Sequence, residues 1–146
     1  MKTTRWMKTA MMLVAGTFVF TACDNDDDKF NAPEAVQAAF NQQYGDNTRV
    51  EWDRERGEYL IAEFWKDNKE YDAWYTYDGR WMMTEVDYGH DIQALPQAVQ
   101  DGFNASAYAQ WRVDDIDLIQ RPDYTDIYKI EVEQQGQRDM DLYFDE

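Results

Sequence analysis

Pro33-Glu34-Ala35-Val36-Gln37-Ala38-Ala39-Phe40-Asn41 recurs 63 residues later as Pro96-Gln97-Ala98-Val99-Gln100-Asp101-Gly102-Phe103-Asn104, with six of nine positions identical. Self-similarity at a fixed spacing points to duplicated units, so this pair organises the chain. Each copy reads as the start of a short amphipathic helix. Proline suits the first turn, and Val36 with Phe40, or Val99 with Phe103, stand four apart on one face. Leu95 extends the second stripe, and Asp91 stands where it can cap the approach to that helix.

After each helix the apolar period changes from about 3.6 to 2. Leu60, Ala62 and Phe64 fall on one face of a strand, as do Tyr128, Ile130 and Val132. In the next strand Ala73, Tyr75 and Tyr77 match Met140, Leu142 and Phe144. Lys66-Asp67-Asn68-Lys69 and Gln134-Gln135-Gly136-Gln137 read as hairpin turns. An earlier strand near 49–54 corresponds to one near 113–119, and Asp78-Gly79 turns the chain into a fourth strand over 80–85. The expectation is an α+β fold, a tandem repeat of one helix plus a three- or four-stranded antiparallel sheet, with the helices packed on one sheet face. Residues 32–90 form the first copy and 91–146 the second, which lacks a clear last strand; the two sheets are able to join edge to edge.

The N-terminus reads differently. Lys2, Arg5 and Lys8 precede an apolar run from Ala10 to Phe20, the pattern of an export signal over residues 1–22 and too short to span a bilayer comfortably. Phe20-Thr21-Ala22-Cys23 resembles a bacterial lipobox of the loose kind found in Bacteroidetes, which makes Cys23 the expected lipidation site; a plain signal peptide with an incidental cysteine is the other reading. Residues 23–31 then form a lipidated cysteine and an acidic tether. Within it Asp24-Asn25-Asp26-Asp27-Asp28-Lys29 reads as a solvated spacer, resembles the acidic export signal of surface lipoproteins, and lacks the glycine and distal glutamate of an EF-hand calcium loop. The expected location is the outer membrane, facing either the cell surface or the periplasm, with the lipid anchor as the membrane contact.

Of 146 residues, 30 are Asp or Glu against 14 Lys or Arg, a formal charge of −16. Removing Lys2, Arg5 and Lys8 leaves eleven bases against the same acids, or −19. Such a chain offers no basic stripe for phosphates, so nucleic acid is excluded as a partner. Six Trp, ten Tyr and seven Phe argue against disorder.

The Pro33 helix, the strand Tyr59-Leu60-Ile61-Ala62-Glu63-Phe64, the hairpin Ala73-Trp74-Tyr75-Thr76-Tyr77-Asp78-Gly79-Arg80-Trp81-Met82-Met83-Thr84-Glu85 and the restart Leu95-Pro96-Gln97-Ala98-Val99 resemble the PepSY-like, beta-lactamase-inhibitor-like proteins. The resemblance covers about residues 32–146. It implies paired helix-plus-antiparallel-sheet units, export and an inhibitory or binding role, and it carries no catalytic residues to transfer.

The residues themselves point the same way. The only cysteine belongs to the lipobox and the only histidine, His90, stands by a glycine turn, so neither nucleophilic catalysis nor a zinc site can be assembled. No metal and no cofactor is expected. A two-carboxylate glycosidase could draw on Glu131, Asp139 and Asp141, but nothing marks a pair. Alternation sends Tyr59, Ile61, Trp65, Trp74 and Thr76 to the sheet face opposite the helix in the first copy, and Lys129, Glu131, Asp139, Asp141 and Tyr143 to that face in the second. A surface turning from aromatic to acidic suits a protein partner with an apolar spot beside a basic rim. The expected partner-binding residues are Tyr59, Ile61, Trp65, Trp74, Glu131, Asp139, Asp141 and Tyr143. Three alternatives stay open: glycan binding by the exposed Trp and Tyr, a passive periplasmic or surface stability module without a ligand, and a second element, the other repeat or a dimer mate, covering the aromatics.

Overall fold

A computed structural model of the chain describes residues 30–55 and 57–146. The leader, Cys23 and the acidic run 24–29 lie outside the described residues. A helix α1 (Glu34–Tyr44) leads into four strands, β1 (Val50–Glu55), β2 (Tyr59–Lys66), β3 (Lys69–Tyr75) and β4 (Trp81–Gly89). A short 3-10 turn (Ile92–Ala94) and helix α2 (Gln97–Ala105) follow, then β5 (Arg112–Gln120), β6 (Ile127–Glu133) and β7 (Met140–Phe144). The seven strands make one antiparallel sheet in chain order, and the pairing of β4 with β5 makes it continuous. Among the described residues no helix is long and apolar enough to cross a membrane.

The two helices start alike. Pro33 and Pro96 sit at the N-caps with φ of −53° and −54°, and each proline carbonyl accepts an early helical N–H. Gln37 Nε2 donates to the Ala32 carbonyl at 2.6 Å, and Gln100 Nε2 donates to the Leu95 carbonyl at 2.8 Å, so the same glutamine clamps the entering chain in both places. Asp91 caps the 3-10 turn before α2, accepting from the Gln93 N–H at 2.9 Å. The hairpin between β2 and β3 turns on Asp67 and Asn68, both at positive φ (51° and 62°), as a two-residue loop with matching twist requires.

Val36 and Phe40 are buried with Leu60, Ala62, Phe64, Ala73 and Tyr75. Val99 and Phe103 are buried with Val86, Ile116, Leu118, Tyr128, Ile130 and Val132. Tyr71 packs against both groups and joins them. Trp52 and Trp81 pack against the first group and Trp111 against the second, as core fillers. Phe40 meets Trp52 and Phe64 edge-on at 5.5 and 5.1 Å, the favourable geometry for aromatic pairs. One polar side chain is fully buried among these: Thr84, whose Oγ1 hydrogen-bonds the Tyr44 hydroxyl at 2.6 Å and accepts from Trp81 Nε1 at 2.9 Å.

The correspondence between β3 and β7 needs correction. Leu60, Ala62 and Phe64 face Tyr75, Ala73 and Tyr71, while Tyr128, Ile130 and Val132 face Phe144, Leu142 and Met140. Tyr71, Ala73 and Tyr75 are therefore the counterparts of Met140, Leu142 and Phe144, two residues earlier than the alternation suggested. Tyr77 falls beyond β3 and is 42% exposed. A slip of two preserves the face of every side chain, so periodicity cannot detect it.

Candidate binding face

Register places the positions between the core residues on the other face of the sheet. Glu51 pairs with Glu63, Glu63 with Asp72, and Asp72 with Glu85, a row of four carboxylates across β1 to β4. Neighbouring strands lie about 4.8 Å apart, and directly opposed like charges destabilise a sheet. Further rows repeat the pattern: Asp87 faces Asp117, and Asp115 faces Glu131, which faces Asp141. Lys129 lies between Asp117 and Tyr143, with its Nζ 3.5 Å from Asp117 Oδ2.

The electrostatics follow the crowding. Burial, reinforced by Glu63, Glu70, Glu85 and Asp117, pushes the Asp72 carboxyl up to about 7. Burial also raises Glu131; Lys129 opposes the shift, while Asp141, Asp114 and Asp139 add to it. Burial pulls Lys129 down, but Asp117, Asp141 and Glu85 together outweigh it, and the ammonium is held above its usual range. Asp87 Oδ1 accepts the Gly89 N–H at 2.6 Å, which ties the end of β4 at its bulge.

The aromatic members are scattered. Trp65 is 59% exposed near the end of β2 and Tyr143 is 58% exposed on β7, five strands away. Trp74 shares the face but is only 8% exposed, in register with Ile61 and Met83, which are half-buried. Tyr59 is half-buried opposite Glu55. Glu131 is half-buried, Asp141 is exposed beside it, and Asp139 is exposed one residue before β7. Alternation thus brings Ile61 and Trp74 together, and Glu131, Asp141 and Lys129 together, but gathers no continuous aromatic platform.

Sequence reading missed Glu51, Glu63, Glu70, Asp72, Glu85 and Asp87. The acid begins in the first half of the sheet, not in the second. The same alternation that selects Tyr59, Ile61 and Trp65 also selects Glu63, and that which selects Trp74 selects Asp72 and Glu70, so the period carries the acids on the same face as the aromatics.

Beside Trp65 the face is indented. A cleft of about 450 Å³ is lined by Arg49, Glu51, Glu63, Phe64, Trp65 and Glu70. A second, of about 350 Å³, lies at the far side between Arg121, Tyr124, Thr125, Ile127 and the end of β7. Among the described residues no group of three or more His, Cys, Asp or Glu side chains is arranged to hold a metal ion.

These features define a small α+β protein whose most distinctive surface is a carboxylate-rich sheet face. Residues 28–64 and 58–146 match the family described as "Putative beta-lactamase-inhibitor-like, PepSY-like", and the chain belongs to that family. Among solved structures, a BLIP-like protein of Bacteroides fragilis is 31% identical, with a TM-score of 0.72 over 84% of each chain. A DUF2874 family protein of Bacteroides ovatus is 26% identical, with a TM-score of 0.74 over 80% of this chain and 82% of that one. A protein of Bacteroides eggerthii described among "putative periplasmic proteins" is 25% identical, with a TM-score of 0.72 over 80% and 83%. No curated protein matches.

Proposed function

We propose that this is a noncatalytic exported protein that binds another extracytoplasmic protein through the carboxylate-rich sheet face, with inhibition as the consequence where the partner is an enzyme. The observation that carries this reading is the row Glu51, Glu63, Asp72 and Glu85. Opposed carboxylates on four successive strands cost stability, and a folded chain that breaks a local rule in this way does so most often at a functional surface. A basic partner would relieve the repulsion and gain from it. The family description, the BLIP-like relative and the periplasmic description of another relative support binding and export.

Three further parts belong to the proposal. Cys23 carries the lipid and the acidic tether holds the domain off the outer membrane. The fold is two copies of one unit with both helices on the same sheet face, supported by the paired Gln37 and Gln100 clamps and by the matched burial of Val36 with Val99 and Phe40 with Phe103. The partner meets the opposite face.

Crosslinking capture from intact cells identifies the partner, and association kinetics with the captured protein test the surface. Reversing Glu131, Asp139 and Asp141 to lysine is expected to slow association about tenfold at low salt and to flatten its dependence on ionic strength. Rates that ignore both the substitutions and the salt would sink the electrostatic reading. Glycan binding is the second reading and rests on the exposure of Trp65; with Trp74 buried, the other ring of the predicted set on β2, Tyr59, stands at the opposite end of the strand. A glycan array positive for the protein and negative for Trp65→Ala would favour it.

A further inference from the structure

The geometry points to a specific subsite on this face: we infer that the cleft beside Trp65 receives an arginine side chain of the protein partner, its guanidinium stacked on the indole and flanked by Glu51, Glu63 and Glu70. The inference rests on the reading that the face binds a protein, and it adds the chemistry of one anchor.

Trp65 is the most exposed tryptophan among the described residues that lie on the sheet, and its strand neighbour across β2 and β3 is Glu70. Glu51 and Glu63 pair across β1 and β2 and complete the wall of the same 450 Å³ cleft. An exposed indole beside carboxylates is the combination that a planar cation satisfies, because the ring face attracts the charge while the carboxylates accept N–H groups. Arginine fits better than lysine: its guanidinium is flat enough to stack and can still donate in its plane. Arg49 contributes the one cation of the lining, but its side chain is 89% exposed and 4.0 Å from Glu51, which is itself 62% exposed. A pair so exposed is weak, and the lining sets three carboxylates, Glu51, Glu63 and Glu70, against that one cation. Asp72 lies next to Glu63 in register, and its carboxyl is raised first by burial and then by the charges of Glu63, Glu70, Glu85 and Asp117. The volume lies at the small end of ligand clefts and has room for a long side chain, not for an element of structure.

The test uses the full-length protein and two peptides, acetyl-Gly-Arg-Gly-amide and its citrulline counterpart, in which a neutral urea replaces the guanidinium at the same size. Binding is read by NMR from the Trp65 indole N–H, assigned by its absence in Trp65→Phe. The arginine peptide should bind at least about fivefold more tightly than the citrulline peptide, and Glu63→Gln with Glu70→Gln should weaken it by roughly tenfold. Trp65→Leu should weaken it as well, read then from backbone amides of β1 to β3. Equal binding of the two peptides, or arginine binding unchanged in these variants, would overturn the subsite. Capture of the envelope partner, and its loss on reversing Glu131 and Asp141, is scored separately. A peptide failure with partner capture intact removes the subsite and leaves the face reading standing; peptide binding without any captured protein removes the face reading and overturns the assignment of the arginine to a protein partner, leaving only arginine recognition by the cleft.

Discussion

Asp72 is in the middle of a row of carboxylates, flanked by Glu63 on β2 and Glu85 on β4. Burial, then the charges of Glu63, Glu70, Glu85 and Asp117, raise its carboxyl from 3.8 to about 7. The folded pKa is above the unfolded one. Between about pH 4 and 7 the folded chain therefore holds a proton that the unfolded chain has released, and stability falls as the pH rises through that window. Asp72→Asn removes the group that titrates. It should raise the stability to urea at pH 8 by roughly 1–2 kcal/mol, a figure reduced for the partial exposure of the carboxyl, and change it little at pH 4. An equal effect at both pH values would show that the substitution acts through packing. Thr84 shows the opposite economy: a buried hydroxyl kept because it meets both Tyr44 and Trp81, leaving neither ring with an unpaired polar atom. A threonine on the core side of a strand looks like a breach of the apolar pattern until its two partners are known.

At the scale of elements, the turn Thr76–Arg80 does more than reverse the chain. Gly79 has φ of +88°, and a Cβ there would lie 2.7 Å from the Ala35 carbonyl oxygen, so this turn is pressed against the first turn of α1. Gly136, in the β6–β7 turn, has φ of +81° and nothing within 4 Å of the same position. The two glycines share the backbone demand and differ in the contact. Gly136→Ala should cost about 1 kcal/mol for the left-handed conformation alone, and Gly79→Ala about 2–3 kcal/mol because the backbone of α1 must also move. Chemical unfolding of both variants checks the difference; equal losses would mean that the turn and the helix are not coupled. Asp78-Gly79 was legible as a turn from sequence, but its role as a seat for α1 was not, because that contact joins residues more than forty positions apart.

For the whole molecule, the acid matters more by its placement than by its amount. A charge of −16 spread evenly would be ordinary solvation. Here carboxylates oppose one another on β1 to β4 and again from β4 to β7, with Lys129 set among them. Raising NaCl from 0.05 to 0.5 M should therefore stabilise the free protein by about 1 kcal/mol, a rise in Tm of roughly 4 °C for a domain of this size. The same salt should weaken the capture of a basic partner. Calorimetry across the salt series tests the first effect, and a falling Tm would contradict it. The opposite signs distinguish a face that repels itself from one already neutralised by its own chain.

The amino-acid sequence by itself determined the elements: two proline-led helices 63 residues apart, the strands between them, the hairpin turns and the face on which each strand residue lies. Those properties are local or periodic, and Val36, Phe40, Leu60 and Ile130 declare them within a few residues. It also carried the family resemblance. Only the tertiary structure decided the register, the joining of β4 to β5, the burial of Trp74 and the meeting of Glu51, Glu63, Asp72 and Glu85 in one row. The reason is the period of a strand. A repeat of two fixes which face a side chain takes and says nothing about which residue stands opposite it, and the charge pattern of this sheet is made of what stands opposite.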